Sequence, residues 1–390
     1  MSEIGVHIGA AARSVRAKRD TERTALRFAT FDAASAGAAL PEWPSLPGIA
    51  AGDNAFFSAE FALPAMLHLG ASVSIAAVTH PGGALAAVAP FTRHRLGRIA
   101  PAARLWAHDY APLGQPLVEG EGLDAAVARL IEGLAPTDRG YSLILPDMPL
   151  DGLVALAVKD AARRAGRPIA LLDQHMRACL DREGPGGLDP RSALATGKRK
   201  ELGRQMRRLA DLGSVEIVSA VTPAEIESRF EMFLALEAAG WKGKAGSALG
   251  SSPKTAAFAR AAVRNCASEA SARIDSIDVD GKPIAMLVSF ISGATAYTWK
   301  IAYDEMHARF SPGAQVMLEA ASRLFADIRV QRIDSCAAAN HPLVDHLWRG
   351  RLAIGTMVIG PAGGGVMYSA GLAAARAELA ARAAVRRLRS

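Results

Sequence analysis

Cysteine, aromatic side chains and long apolar runs are all scarce in this chain, and each scarcity removes a class of protein. The 390 residues include three cysteines, Cys179, Cys266 and Cys336, far apart and without a C-x-x-C pair. That spacing implies neither structural zinc nor a secreted disulfide framework. No uncharged apolar stretch reaches the roughly 18 residues of a membrane span, and the longest, Pro283 to Gly293, is strand-sized. Met1 to Arg27 holds Arg13, Arg16, Lys18, Arg19 and Arg23 with no apolar core behind them, so no signal peptide is expected and the compartment reads as cytoplasmic. There is no His-Glu-x-x-His and the nine histidines are scattered, so no metal is expected. What remains is a chain half apolar, 21% charged and 6% aromatic. It is too apolar for disorder, and its length suggests two domains, each with an ample core.

The 45 Lys+Arg against 38 Asp+Glu leave a net charge of +7. The excess gathers in the N-terminal segment, in Arg191 to Arg208 and in the last fifteen residues. Lys198, Arg199, Lys200, Arg204, Arg207 and Arg208 recur at roughly helical spacing without interleaved aromatics, which argues against single-stranded nucleic acid. A solvated face is the plain reading, and contact with an anionic partner the functional one.

In the first half, Val73–Val78 and Leu85–Phe91 flank His80-Pro81-Gly82-Gly83, a hairpin signal. Helices are expected over Gly122–Leu134 and Leu150–Gly166, and strands over Tyr141–Leu145 and Ile169–Leu172. Gly184-Pro185-Gly186-Gly187 then punctuates the chain. The expected division is a basic tail at 1–27, domains at 28–187 and 188–365, and a basic tail or helix at 366–390. In the second half, Thr222-Pro223-Ala224-Glu225 is a capping box opening a helix to Gly240, followed by a Gly-rich loop, Trp241 to Gly246. A helix from Ser252-Pro253 to about Glu269 precedes three strands, Ala272–Val279, Pro283–Ser292 and Thr295–Tyr303, the first pair joined by Asp280-Gly281. The next helix starts at Ser311-Pro312 and carries Met317, Ala321, Leu324 and Ile328 on one face. A strand at Val330–Asp334 and a short helix from Pro342 follow.

The informative junction is Arg309-Phe310-Ser311-Pro312-Gly313-Ala314, where a strand and loop run into a helix with almost no side-chain bulk in its first turn. Ser311 is placed to cap it, Pro312 lacks only an N–H the helix would not use, and Gly313 and Ala314 leave amides open to an anion. Arg309 is positioned to add charge. Following helix, helix and meander, this loop resembles that of the GNAT acyltransferase superfamily, Arg/Gln-x-x-Gly-x-Gly/Ala, with Pro312 where the family has its first Gly. Gly240-Trp241-Lys242-Gly243, Trp299-Lys300-Ile301-Ala302-Tyr303-Asp304-Glu305, Asp334-Ser335-Cys336-Ala337, His341-Pro342 and His346-Leu347-Trp348 resemble one bacterial subgroup, described alongside cellulose or exopolysaccharide biosynthesis. That subgroup is similar to the Fem-type aminoacyl transferases, which carry two GNAT units in tandem. The resemblance covers about Gly187 to Gly360, and more thinly Asn54–Phe57 and Trp106–Gly114. It implies an α/β fold of the layered α+β kind: tandem GNAT-like domains, each a mixed, mostly antiparallel sheet flanked by helices. The first half would be a degenerate copy that shapes the acceptor cleft.

The activity implied is acyl transfer from acetyl-CoA or another acyl-CoA, as co-substrate, to an amine of a small molecule, sugar or envelope precursor. A Lys-like amine is neutral in only about one molecule in two thousand at pH 7, so a base or a desolvating pocket is needed. Asp304, Glu305, Asp334, His346 and Tyr303 are the catalytic candidates, with Tyr297 an alternative proton donor. Arg309 to Ala314 would hold the donor's pyrophosphate. Trp241, Lys242, Trp299 and Lys300, with His108 and Asp109 from the first half, are the substrate-side candidates. His341 reads as a local cap. Cys336 offers a covalent route, although direct transfer is expected. Two rival readings stand beside this one. One is a Fem-type transferase using aminoacyl-tRNA through Lys198–Arg208, the only reading with a nucleic acid. The other is a non-catalytic module in polysaccharide synthesis. The basic tails leave peripheral membrane contact open.

Overall fold

The computed structural model describes residues 25–70 and 72–389, so most of the basic segment expected at 1–27 lies outside the described residues. The chain begins with β1 (Arg27–Asp32), α1 (Ala33–Ala39), α2 (Ala59–Leu69), β2 (Ser74–Thr79), β3 (Leu85–Leu96) and β4 (Ala100–Leu105). It continues through β5 (Leu117–Val118), α3 (Leu123–Leu134), β6 (Ser142–Pro149), α4 (Leu153–Arg164) and β7 (Ile169–Asp181). The second run is α5 (Thr196–Ala210), β8 (Val215–Ala220), α6 (Pro223–Ala239), α7 (Trp241–Lys244), α8 (Pro253–Ser268), β9 (Ala272–Val279), β10 (Lys282–Ser292) and β11 (Thr295–Tyr303). It ends with α9 (Pro312–Ala326), β12 (Arg332–Asp334), α10 (Val344–Leu347), β13 (Gly350–Ile359) and α11 (Val366–Arg389).

Among the described residues all strands join one 13-stranded sheet in the order β1-β2-β3-β4-β6-β13-β7-β12-β11-β10-β9-β8, with β5 on β3. Exchanging β1 with β8, β2 with β9, β3 with β10, β4 with β11, β6 with β12 and β7 with β13 reproduces that order read backwards. The halves are therefore copies of one pattern, and their last strands are traded: β13 pairs with β6, and β7 with β12. Only β4–β6 and β11–β12 are parallel pairs. The fold is thus a tandem, mostly antiparallel α/β layer whose two units share a single sheet.

Local sequence explains most elements. Asp280 and Gly281, with φ of 49° and 75°, make the two-residue turn between β9 and β10. The capping box at Thr222 and Glu225 forms with both of its hydrogen bonds. Elsewhere tertiary context prevails. β7 runs to Asp181, well past Leu172, because a strand held between β13 and β12 tolerates the charged Asp173 and Arg177 that break its apolar run. Trp241–Lys244, expected as loop, forms a helical turn. β8 and β13 escape the sequence reading. Ile328, expected on the apolar face of α9, lies beyond its end and is 78% exposed.

Phe56, Phe57 and Phe61 from the first half meet Phe258, Phe290 and Trp299 from the second in one core, with α2 packed against α8. A second core lies beneath α9 and includes Phe310, Phe325 and Trp348. Asp53 fastens the first half to the start of β11: its carboxylate accepts from Ala294 N (3.0 Å) and Thr295 Oγ1 (2.7 Å).

Candidate active site

β11 and β12 pair only at Thr295/Arg332, Ala296/Ile333 and Tyr297/Asp334. Beyond this the chain turns away from β11 at Cys336, whose φ is 53° and whose N–H donates to Asp334 Oδ1 (2.8 Å). Thr298 Oγ1 closes the apex by donating to Ser335 O (3.1 Å). β11 continues to Tyr303 paired with β10 alone, with a bulge at Trp299: Val288 pairs with Lys300 and Ser289 with Thr298. The gap opens into a cavity of about 980 Å³. Its walls come from β11, Ser335–Ala338, α10, the head of α9, and the junction of α6 and α7.

The head of α9 forms one end. Ser311 is left-handed (φ 52°) and makes no side-chain cap, contrary to expectation; its carbonyl accepts from Gln315 N instead (3.0 Å). Pro312 has no N–H, and the amides of Gly313 and Ala314 carry no backbone bond. Both residues line the cavity. Two unpartnered amides at the positive end of a 15-residue helix favour an anion. Lys198, in the first turn of α5, lines the same cavity. Arg309 does not. It is exposed, stacked 4.7 Å from the centroid of Phe310, and Phe310 itself is core.

Residues 196–341 match the family model described as Acetyltransferase (GNAT) domain. This stretch is a GNAT acetyltransferase domain. The protein is accordingly an acyltransferase. No curated protein matches the chain significantly. Among solved structures, FemX superposes with a TM-score of 0.54 at 9% identity, over 82% of this chain and 95% of that one. The C-terminal domain of a putative lysylphosphatidylglycerol synthetase from Agrobacterium fabrum gives 0.53 at 10%, covering 88% and 96%. A conserved protein of unknown function from Bacteroides thetaiotaomicron gives 0.52 at 12%, covering 86% and 99%. At these identities the likeness is one of fold, and it spans both halves.

The first half lacks an equivalent opening. Its pseudo-equivalent of α9 is α3, preceded by Glu121-Gly122 and carrying Asp124 in its first turn, acids that complement the helix end themselves. Beside β6, the segment at Gly114 packs so closely on Pro146 that a Cβ there would strike the Pro146 carbonyl.

Within the GNAT domain, several candidates prove structural. Asp304 caps the turn after β11, accepting from Met306 N (2.9 Å) and contacting His307 Nδ1 (3.0 Å). Glu305 accepts from Trp241 N and Lys244 Nζ, pinning α7. Asp334 is buried against Arg177 (3.4 Å). None of these carboxylates lines the cavity. Tyr297 spends its hydroxyl on Asp53 O (2.7 Å), and burial holds its phenol well above the ordinary value. Cys336 lines the cavity, and burial holds its thiol well above the ordinary value, which disfavours the thiolate a covalent route requires. His341 Nδ1 faces Leu343 N and Val344 N, a local cap.

Tyr303, His346, Trp241, Lys242, Trp299 and Lys300 do line the cavity. The Tyr303 ring borders Gly313, while His346 and Trp241 are exposed at the rim. One acid missed in the sequence joins them. Glu237 is 3% exposed and sits on the apolar stripe of α6 with Ile226, Phe230, Phe233 and Leu234; an acid in that register was the available signal. Its Oε1 takes Lys242 Nζ (2.9 Å) and its Oε2 takes Leu249 N (2.8 Å). Lys242 also donates to Ile301 O (2.7 Å). Among the described residues, no three His, Cys, Asp or Glu side chains gather as metal ligands.

His108 and Asp109 stand behind the cavity rather than in its lining. The His108 ring lies 4.4 Å from that of Trp106, and burial, then Lys300, pushes its pKa down to about 4. The folded protein takes up this proton near 4 and the unfolded chain near 6.5, so stability present above 6.5 is lost as pH falls through that window. The loss should reach about 3 kcal/mol. Urea unfolding of the wild type and His108→Phe at pH 7 and pH 4.5 checks this, and equal losses in both proteins would refute it.

Proposed function

We propose that the protein is an acyl-CoA-dependent N-acyltransferase, an acetyltransferase in its simplest form, that delivers the acyl group directly to an amine. The observation supporting this most strongly is that two unpartnered amides at the head of α9 open onto the same cavity as the parted strands. A diphosphate on Gly313 N and Ala314 N, with Lys198 beside it, would leave the thioester reaching into the gap past Thr298. Ile301 turns its carbonyl to Lys242, and a strand residue directs its N–H to the same side, so Ile301 N–H is a candidate donor to the oxyanion. The amine nitrogen attacks the thioester carbonyl, the C–S bond breaks, and the amine's proton leaves to a base while the departing thiolate gains one. His346 is our candidate for the first transfer and Tyr303 for the second. The second half would thus hold the donor and the first half shape the acceptor side. The acceptor, taken from the resemblance alone, is an amine of a small molecule, sugar or envelope precursor met in the cytoplasm, within cellulose or exopolysaccharide biosynthesis.

Native mass spectrometry of freshly purified protein should show a retained CoA species, and calorimetry saturable acetyl-CoA binding. Absence of both would end this reading. One feature favours a Fem-type alternative: Lys200, Arg204, Arg207 and Arg208 are exposed together on the outer side of α5, near the donor end. An aminoacyl-tRNA donor would make RNA co-purify and binding fall steeply with salt. The acyl-CoA reading expects nuclease treatment to change neither retained ligand nor turnover.

A further inference from the structure

The charges around the cavity do not balance, and the imbalance lies where the acceptor must enter. Among the described residues Glu237 is the one acid in the lining, and both of its oxygens are engaged, one by Lys242. Lys198 and Arg349 belong to the exposed rim, where water solvates them. Lys300 is different. The bulge at Trp299 turns it toward the first half, and its ammonium lies 4.8 Å from the Tyr110 ring centroid and 5.8 Å from that of Trp299. Among the described residues no carboxylate comes within 4.0 Å of it, although Glu237 and Asp109 exert a weaker field. Two aromatic faces compensate such a cation only in part. Burial and Lys242 both press its pKa below the ordinary value, which marks an ammonium short of a counter-ion. The Tyr110 backbone is tied to the same strand, its carbonyl accepting from Trp299 Nε1 (2.8 Å), so the first half places the Tyr110 ring over Lys300.

We propose that the acceptor amine carries one carboxylate, bound by Lys300 where its side chain lines the cavity beside Tyr110, and hence that the substrate is of the amino-acid type. This rests on the acyl-CoA reading above. One uncompensated cation matches a carboxylate monoanion; a phosphomonoester would bring a second negative charge to a place where the neighbouring cation, Lys242, is already paired. The donor's own phosphates are accounted for at the head of α9, away from the Tyr110 ring. The carboxylate on Lys300 orients the substrate so that its amine faces the apex of the strand gap at Thr298, and the charge pair forms out of water, where it discriminates most.

The test uses the full chain with acetyl-CoA, a panel of free amino acids and their primary amides, and glucosamine, following CoA release. The wild type should prefer the acid over its amide by about 100-fold in kcat/KM. Lys300→Met should bring the ratio close to one, and Lys300→Glu should favour the amide. Acetyl-CoA affinity by calorimetry reports that both variants fold. A wild-type ratio near one, a ratio that survives Lys300→Met, or turnover confined to glucosamine would overturn the carboxylate site and leave the donor site standing. Wild type that does not bind acetyl-CoA would remove both.

Discussion

Acetyl-CoA affinity should fall by at least about 100-fold on Gly313→Trp, with little change in thermal stability. The amides of Gly313 and Ala314 are each free to make a charge-assisted hydrogen bond, worth about 1.5–3 kcal/mol. An indole at this position would fill the space in front of both, for a combined loss of about 3–6 kcal/mol. The fold should tolerate the change because the atoms nearest to the new Cβ are Tyr303 Cδ1 at 3.4 Å and Leu343 Cδ2 and Tyr303 Cε1, both at 3.7 Å. Beyond them lies the cavity. Gly313→Ala is the control: it keeps the amide and adds a methyl in near-ordinary contact, so binding should largely persist. Calorimetric titration of the three proteins decides the matter. Undiminished affinity in Gly313→Trp would mean that the diphosphate sits elsewhere.

Removing Arg177 should cost more stability than any other single change considered, about 3–5 kcal/mol for Arg177→Met. Arg177 and Asp334 are 3% and 2% exposed in their side chains and face each other across β7 and β12 at 3.4 Å. Arg177 Nη2 also donates to Pro112 O (3.0 Å), tying the first half to the junction. Without the guanidinium, Asp334 is a buried charge with no cation at the point where the strands part. Its Oδ1 still holds the Cys336 amide that turns the chain out of the sheet. Denaturant midpoints should therefore drop sharply for Arg177→Met and recover in part for Arg177→Met with Asp334→Asn, which removes the orphaned charge. A loss below about 1 kcal/mol in the single variant would show that the pair is dispensable.

This pair also shows how a sequence can misdirect. Asp334, Asp304 and Glu305 stand at strand ends in a motif that resembles a known family, which makes each a reasonable base. Whether a carboxylate at such a position is free or spent depends on what reaches it. The partner of Asp334 is 157 residues away in the chain, and those of Glu305 are the two ends of α7, Trp241 and Lys244. Charge and position were legible; occupancy was not.

What the sequence determined by itself is local: the capping box at Thr222, the turn at Asp280-Gly281, the run of strands to Tyr303, and the bulk-free helix start at Pro312. Each depends on backbone preferences and periodicity within a few residues. Tertiary structure alone decided the exchange of β7 and β13, the engagement of Glu237, the presence of Lys198 rather than Arg309 in the cavity lining, and the placement of Tyr110 over Lys300. These turn on pairings between distant segments, whose outcome is set by burial and by the charge each neighbour brings.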